Sequence, residues 1–102
     1  MMNYLSKYKN QLNELCKKFR VKKLYAFGSV VSEKFNQQTS DVDLIVELET
    51  MEPLEKGEML LNLWDELENL FNRKVDLLTD QPIKNKYLLK SIDATKILVY
   101  ER

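Results

Sequence analysis

Residues 24–48 read LYAFGSVVSEKFNQQTSDVDLIVEL and contain the two strands around which the rest of the chain is arranged. The first strand is predicted at 23–27, where a short apolar run stops at Gly28. The second is predicted at 41–48, because apolar and polar residues alternate there and a strand turns alternate side chains to opposite faces. The apolar face of this second strand carries Val42, Leu44, Val46 and Leu48.

Between the two strands, Ser29 is well placed to begin a short helix reaching about Phe35, and the polar residues 36–40 predict a loop. Further elements follow from apolar spacing and from helix-starting prolines. We expect a helix from about Leu5 to Phe19, a helix from Leu54 to Phe71, a strand at 73–79, a helix from Pro82 to about Ser91 and a last strand at 97–100. This αβαβαβαβ order predicts an α/β (α+β) fold, in which helices pack on a mixed β-sheet of about four strands.

Several apolar side chains are expected in the core of this fold. Cys16 lies near the apolar stripe of the first helix and is expected to behave as a small buried hydrophobe. The aromatic residues are expected to be core rather than base-stacking platforms; they are Tyr25, Phe27, Trp64, Phe71 and Tyr100.

Length and composition limit the classes of function. The 102 residues predict one domain, 1–102, and sixteen basic and sixteen acidic residues cancel, which argues against direct nucleic-acid binding. No histidine is present, so Ser-His-Asp triads and His-ligated zinc sites are excluded. The single cysteine predicts a reducing, cytoplasmic setting, and neither a signal peptide nor a membrane-spanning apolar run is found. Oligomeric state is left open.

Gly28 and Ser29 stand at a strand-to-helix turn, which has two readings. Glycine permits a close backbone approach or a positive φ, and the serine hydroxyl lies beside the N–H groups that begin a helix. Such a turn can bind phosphate oxygens. Taken alone, it is more often a capped turn without a ligand.

Three aspartates are the candidate metal ligands. Asp41 and Asp43 lie on one face of the second strand, with Cα atoms about 6.5–7 Å apart, and carboxylate oxygens are ligands that Mg²⁺ prefers. A solvated strand face would show the same alternation. Asp76 interrupts the apolar run of the third strand, where a carboxylate needs solvent, a hydrogen bond or a cation; a lysine partner such as Lys74 is the alternative.

Considered together, these residues suit phosphoryl or nucleotidyl transfer, which requires alignment and charge stabilisation more than covalent chemistry from the protein. Asp41 and Asp43 would hold two Mg²⁺ ions, and Asp76 would complete the site and help deprotonate the attacking hydroxyl. Gly28 and Ser29 would hold the outer oxygens of a nucleoside triphosphate.

The combination GS at 28–29, SDVDL at 40–44 and KVDL at 74–77 resembles the polymerase β-like nucleotidyltransferase superfamily, and the short chain is similar to its minimal nucleotidyltransferase (MNT) group. The resemblance extends over nearly the whole chain. It implies a mixed-sheet palm, dependence on Mg²⁺, and transfer of a nucleoside monophosphate, with ATP as the substrate. Members are commonly antitoxins paired with a HEPN-domain ribonuclease toxin, and some silence it by adenylylating a tyrosine.

Two departures from the family pattern leave alternatives open. Eleven residues, 30–40, separate Ser29 from Asp41, one more than is usual, and no arginine follows the GS pair. Lys34 is the candidate replacement for the triphosphate-binding charge, although a lysine cannot bind in the bidentate manner of arginine. An antitoxin or adaptor that acts by binding alone is the first alternative, and nucleotidyl transfer to a small molecule is the second.

Overall fold

A computed structural model describes residues 3–31, 41–79 and 84–102 of the chain. Within these residues the elements are α1 (Asn3–Ser6), α2 (Lys9–Lys18), β1 (Val21–Phe27), a 3₁₀ turn (Gly28–Val31), β2 (Val42–Leu48), α3 (Pro53–Phe71), β3 (Val75–Thr79), α4 (Lys86–Thr95) and β4 (Ile97–Glu101). The four strands form one sheet in the order β3-β2-β1-β4. β1 runs antiparallel to β2 and β4, whereas β2 and β3 are parallel, so the predicted mixed sheet of four strands is confirmed.

The central strand β2 buries side chains on both faces of the sheet. Its residues Val42, Leu44, Val46 and Leu48 join the main core, which α1, α2 and α3 cover. On the opposite face Ile45 packs with Phe27 and Ile92 in a smaller cluster beneath α4. Among the helices that the structure describes, α1, α2 and α3 cover one face of the sheet, and α4 covers the face on which the odd-numbered residues of β2 lie.

The first helix is interrupted, which corrects the prediction of one continuous helix. Residues Lys7 and Tyr8 lie between α1 and α2, and the Tyr8 N–H donates to the Leu5 carbonyl (3.0 Å). The Tyr8 ring packs edge-on against Phe71, with centroids 5.0 Å apart, and tilts against Tyr4 at 5.5 Å. This aromatic packing with the end of α3 accounts for the break.

The ends of two later elements also differ from the prediction. Helix α4 begins at Lys86 and runs to Thr95, because the Asn85 side chain caps it by accepting from the N–H groups of Tyr87 (2.9 Å) and Leu88 (3.1 Å). Pro82, its predicted start, lies outside the described residues. Strand β3 begins at Val75 rather than at residue 73. Helix α3 ends at Phe71, Asn72 follows it in the left-handed conformation (φ 51°), and two more residues connect Asn72 to the strand.

Of the five aromatic residues expected in the core, Phe27 and Phe71 are buried, Tyr25 and Tyr100 are only partly buried, and Trp64 is exposed. Cys16 is buried as expected, and burial raises the pKa of its thiol to about 12. Trp64, expected in the core, is 41% exposed because its indole lies at the margin of the sheet, where its N–H bonds the backbone of β3. In the part of the chain that the structure describes, no helix is long and apolar enough to cross a membrane.

Candidate active site

Two of the candidate aspartates face each other across neighbouring strands. In the parallel register of β2 and β3, Asp43 is the partner of Asp76, one residue along from the pair of Val42 and Val75. Both carboxylates lie on the face of the sheet that α4 covers, because side chains two apart on a strand share a face. Asp41 immediately precedes β2 and is partly buried.

The electrostatics of this pair are unfavourable in the absence of a cation. The pKa of Asp43 is raised to about 6, first by burial and then by the hydrogen bond to Asp76 and the charges of Asp76 and Asp41. Lys74 acts in the opposite direction, and its exposed Nζ lies 4.0 Å from Asp76 Oδ1. At Asp43, burial and the neighbouring carboxylates therefore outweigh the attraction of Lys74. A bound divalent cation would relieve this imbalance.

The geometry gives a pair of carboxylates rather than a complete cluster. Among residues 3–31, 41–79 and 84–102, no group of three or more His, Cys, Asp or Glu residues is arranged so that it could hold a metal ion. Asp43 and Asp76 supply adjacent oxygen donors of the kind that Mg²⁺ prefers, and Asp41 is near enough to affect the pKa of Asp43. The donor chemistry fits magnesium, and the assignment of all three aspartates as its ligands stays a prediction.

Gly28 brings the turn after β1 into contact with Asp43. Its φ is +74°, and a Cβ built at this position would lie 2.6 Å from Asp43 Oδ2, so any side chain here would displace the carboxylate. The Gly28 N–H donates to Thr95 Oγ1 (2.7 Å), and the same hydroxyl donates to the Ser91 carbonyl (2.6 Å). The close approach inferred from the sequence is therefore present, and α4 holds the turn in place.

The other predicted phosphate-binding residues are only partly accounted for. Ser29 is the second residue of the 3₁₀ turn Gly28–Val31 and is half-buried. Lys34 and the rest of the predicted short helix lie outside the described residues. The roles of Gly28, Ser29 and Lys34 toward a triphosphate stay predictions.

A cleft of about 460 Å³ opens beside the two carboxylates. Asp43 and Asp76 are its acidic residues, and Ser91 of α4 adds a hydroxyl. Its remaining lining is apolar and consists of Phe27, Trp64, Leu77, Leu78 and Leu88. Sequence reasoning missed Trp64 and Ser91 as cleft residues, since the apolar spacing of α3 favoured a core position for Trp64 and nothing in the local sequence distinguished Ser91.

The fold and this acidic cleft agree with a family assignment. The family of polymerase beta nucleotidyltransferases matches residues 10–102, and the chain belongs to that family. By family and by fold the protein is a nucleotidyltransferase.

Two relatives share more than a third of their aligned residues with this chain. Two proteins of Methanocaldococcus jannaschii, provisionally named protein adenylyltransferases, are 36% and 40% identical to this chain, over 95 and 98 residues respectively. Each match covers 93% of this chain and 90% of the relative.

Solved structures share the fold at lower identity. A protein provisionally described as a minimal nucleotidyltransferase superposes with a TM-score of 0.70 at 23% identity, covering 94% of this chain and 93% of the other. A toxin–antitoxin structure with AMP-PNP gives 0.65 at 18% identity (92% and 73%). A Shewanella oneidensis complex of a tri-AMPylated HEPN toxin with an MNT antitoxin gives 0.60 at 17% identity (95% and 72%). The expected minimal nucleotidyltransferase fold is confirmed.

Proposed function

We propose that this protein transfers AMP from ATP to a hydroxyl group of a partner protein, in a reaction that requires Mg²⁺. The observation that carries the proposal is the placement of Asp43 beside Asp76 in register on β2 and β3, at a cleft and against the turn at Gly28. A pair of carboxylates that Lys74 only partly compensates lowers the stability of the fold. Such a pair at a cleft is typical of a site that binds a cation together with its nucleotide.

The residues that would hold magnesium are Asp41, Asp43 and Asp76, with two ions expected. The bound metal would supply stabilisation of the negative charge on the phosphates. Asp76 accepts the proton of the attacking hydroxyl. The hydroxyl oxygen forms a bond to the α-phosphorus of ATP, the bond between that phosphorus and the bridging oxygen breaks, and pyrophosphate leaves with the electron pair.

The triphosphate is proposed to lie at the turn after β1. The N–H of Gly28 is already bonded to Thr95 Oγ1, so the contacts from this turn come from Ser29 and the residues that follow it. Glycine at position 28 keeps the turn close to Asp43, which brings the phosphate-binding and acidic parts of the site together. Lys34 is proposed to add positive charge.

The acceptor is proposed to be a tyrosine hydroxyl on a HEPN-domain toxin, with this protein as its cytoplasmic antitoxin. The provisional names of the M. jannaschii relatives support a protein acceptor, because these relatives match the chain over nearly its full length. The neighbouring MNT antitoxin in complex with a tri-AMPylated HEPN toxin supports the partner. A site on so small a domain encloses little of its acceptor, which also favours a hydroxyl that is part of a partner protein and whose own surface completes the acceptor pocket.

The test is transfer of label from ATP to a co-expressed HEPN-domain protein. Label on the α-phosphate should appear on the partner in the presence of Mg²⁺, whereas label on the γ-phosphate should not. Asp43→Asn should abolish labelling while the protein remains folded. Asp65→Asn makes the same chemical change on the exposed side of α3 and should label as wild type does. Undiminished labelling by Asp43→Asn would refute the mechanism.

An antitoxin that acts by binding alone is the second candidate. It is favoured by the missing arginine after Ser29 and by the lack of a three-ligand group among the described residues. In that case Asp43→Asn should neutralise the co-expressed toxin as well as wild type does. Loss of neutralisation by a variant that still forms the complex would count against it.

A further inference from the structure

Two side chains of α3 form hydrogen bonds with the backbone N–H and the backbone carbonyl of Val75, the first residue of β3. The indole Nε1 of Trp64 donates to the Val75 carbonyl (2.7 Å), and the Val75 N–H donates to Glu68 Oε2 (3.0 Å). Trp64 and Glu68 are four residues apart on the helix, so they project from the same side. One helix therefore binds both the N–H donor and the carbonyl acceptor of a single strand residue.

Val75 lies at the edge of the sheet, where its backbone groups have no partner on β2. In the part of the chain that the structure describes, β3 is an edge strand whose neighbour is β2. The Val42 N–H of β2 donates to the carbonyl of Lys74, the residue before β3 (3.1 Å). In a parallel pair the bonds to one neighbour come from alternate residues, so Val75 turns its own groups away from β2. Without α3 these groups would form an open sheet edge.

The residue after Val75 is Asp76, whose position opposite Asp43 depends on the register of this five-residue strand. Two carboxylates that repel one another favour separation of β2 and β3, and a slip of one residue would turn Asp76 to the opposite face. We infer that Trp64 and Glu68 are positioning residues, which fix the register of β3 and thereby hold Asp76 against Asp43 for metal binding. This inference rests on the proposed function.

The variants separate the hydrogen bonds from packing. Trp64→Phe keeps an aromatic ring but removes the N–H donor, and Glu68→Leu removes the acceptor. Glu68→Gln keeps an acceptor oxygen and serves as the conservative variant. Leu70→Ala removes a partly buried side chain of the same helix that makes neither of the two hydrogen bonds to Val75, and so controls for loss of stability.

The first readout is the Mn²⁺ concentration that gives half-maximal transfer, measured beside the KM for ATP. Trp64→Phe and Glu68→Leu should each raise that metal concentration about tenfold with little change in KM, since residues that orient metal ligands commonly affect affinity by that amount. Glu68→Gln and Leu70→Ala should stay within about twofold of wild type. A wild-type metal requirement in Trp64→Phe and Glu68→Leu would overturn the inference, as would equal losses in Glu68→Gln and Glu68→Leu.

The second readout does not depend on transfer. In metal-free protein, hydrogen exchange of the Val42 amide reports the bond between β2 and β3. Trp64→Phe and Glu68→Leu should speed this exchange at least about tenfold relative to the β1–β2 amides, and Leu70→Ala should not. If wild type transfers nothing, the proposed function fails while faster exchange still supports the positioning of β3; unchanged exchange overturns it.

Discussion

Gly28 and Asp43 lie side by side in the candidate site, with no room for a side chain at position 28. A methyl group at position 28 would face both a positive φ and a carboxylate oxygen 2.6 Å away. At the scale of single residues, the lack of a side chain at position 28 lets the turn approach the acidic strand this closely, so adding one should affect stability and metal binding at once.

Gly28→Ala should lower the free energy of unfolding by about 1–2 kcal/mol, because an L side chain is strained at this φ and displaces Asp43. In an Asp43→Ala background the loss should be smaller by about 1 kcal/mol, since the clashing oxygen is gone. Urea denaturation of the four proteins of this cycle measures both effects. Equal losses in the two backgrounds would show that Gly28 and Asp43 are not in contact.

The raised pKa of Asp43 predicts a dependence of stability on pH in metal-free protein. Burial and the neighbouring acids raise this pKa from 3.8 to about 6, so between these pH values the folded state binds more protons than the unfolded chain. The free energy of unfolding should therefore fall as pH rises through this range. The side chain is only partly buried, and after solvent screening the fall should be at most about 1–2 kcal/mol.

Urea denaturation in EDTA from pH 4 to pH 7 measures this fall. Asp43→Asn should be less sensitive to pH, whereas Asp65→Asn should behave as wild type does. A stability that rises in wild type and in Asp43→Asn alike across this range would contradict the assignment.

Single residues differed in how well the sequence could predict them. Gly28 and Asp76 could be found because each breaks a local pattern: the glycine ends a strand, and the charge interrupts an apolar run. Asp43 could be found because it shares one strand face with Asp41. Trp64 could not, since its spacing on α3 matches that of the core residues Leu63 and Leu67. Trp64 is exposed because its indole N–H bonds the Val75 carbonyl at the edge of the sheet. That strand lies next to α3 only in the folded chain, so the sequence around Trp64 does not reveal the contact.

At the scale of elements, all four strands were predicted, although β1 begins two residues earlier and β3 two residues later than expected, and helix ends were predicted less well. The alternation in β2 predicts its length to within one residue, because period-two burial is a local signal. The break between α1 and α2 depends on the packing of Tyr8 against Phe71, and no pattern within the first twenty residues reveals that distant contact.

The start of α4 depends on Asn85, whose side chain binds two N–H groups of the first turn. Asn85→Ala should lower the free energy of unfolding by about 1 kcal/mol, because those groups lose their partner. Asn85→Asp keeps an acceptor and should retain most of that stability. Thermal unfolding of the three proteins measures the difference. If Asn85→Ala and wild type unfold alike, the side-chain cap does not set this helix end.

At the scale of the whole molecule, strand order determines which residues meet. The chain crosses from β2 through α3 to β3, and this connection makes the two strands parallel and brings Asp43 beside Asp76. The order of helices and strands predicts a mixed sheet, but strand neighbours depend on packing between distant segments. The meeting of two aspartates that are 33 positions apart could therefore be expected only from their chemistry and from the family resemblance.

The same topology places Asp41 just outside the strand pair that brings Asp43 and Asp76 together. It precedes β2 and influences Asp43 electrostatically, yet the described residues form no three-ligand group. A bound divalent cation would supply the missing attraction among these acids, so all three carboxylates are expected to contribute once the metal is bound.

The most direct test is equilibrium binding of Mn²⁺, measured by electron paramagnetic resonance in the presence of a non-hydrolysable ATP analogue. Wild-type protein should bind the ion, and Asp43→Asn and Asp76→Asn should each weaken binding at least about tenfold, since each removes an anionic oxygen donor. Asp65→Asn should bind as wild type does. Wild-type affinity in a protein carrying both Asp43→Asn and Asp76→Asn would contradict the account.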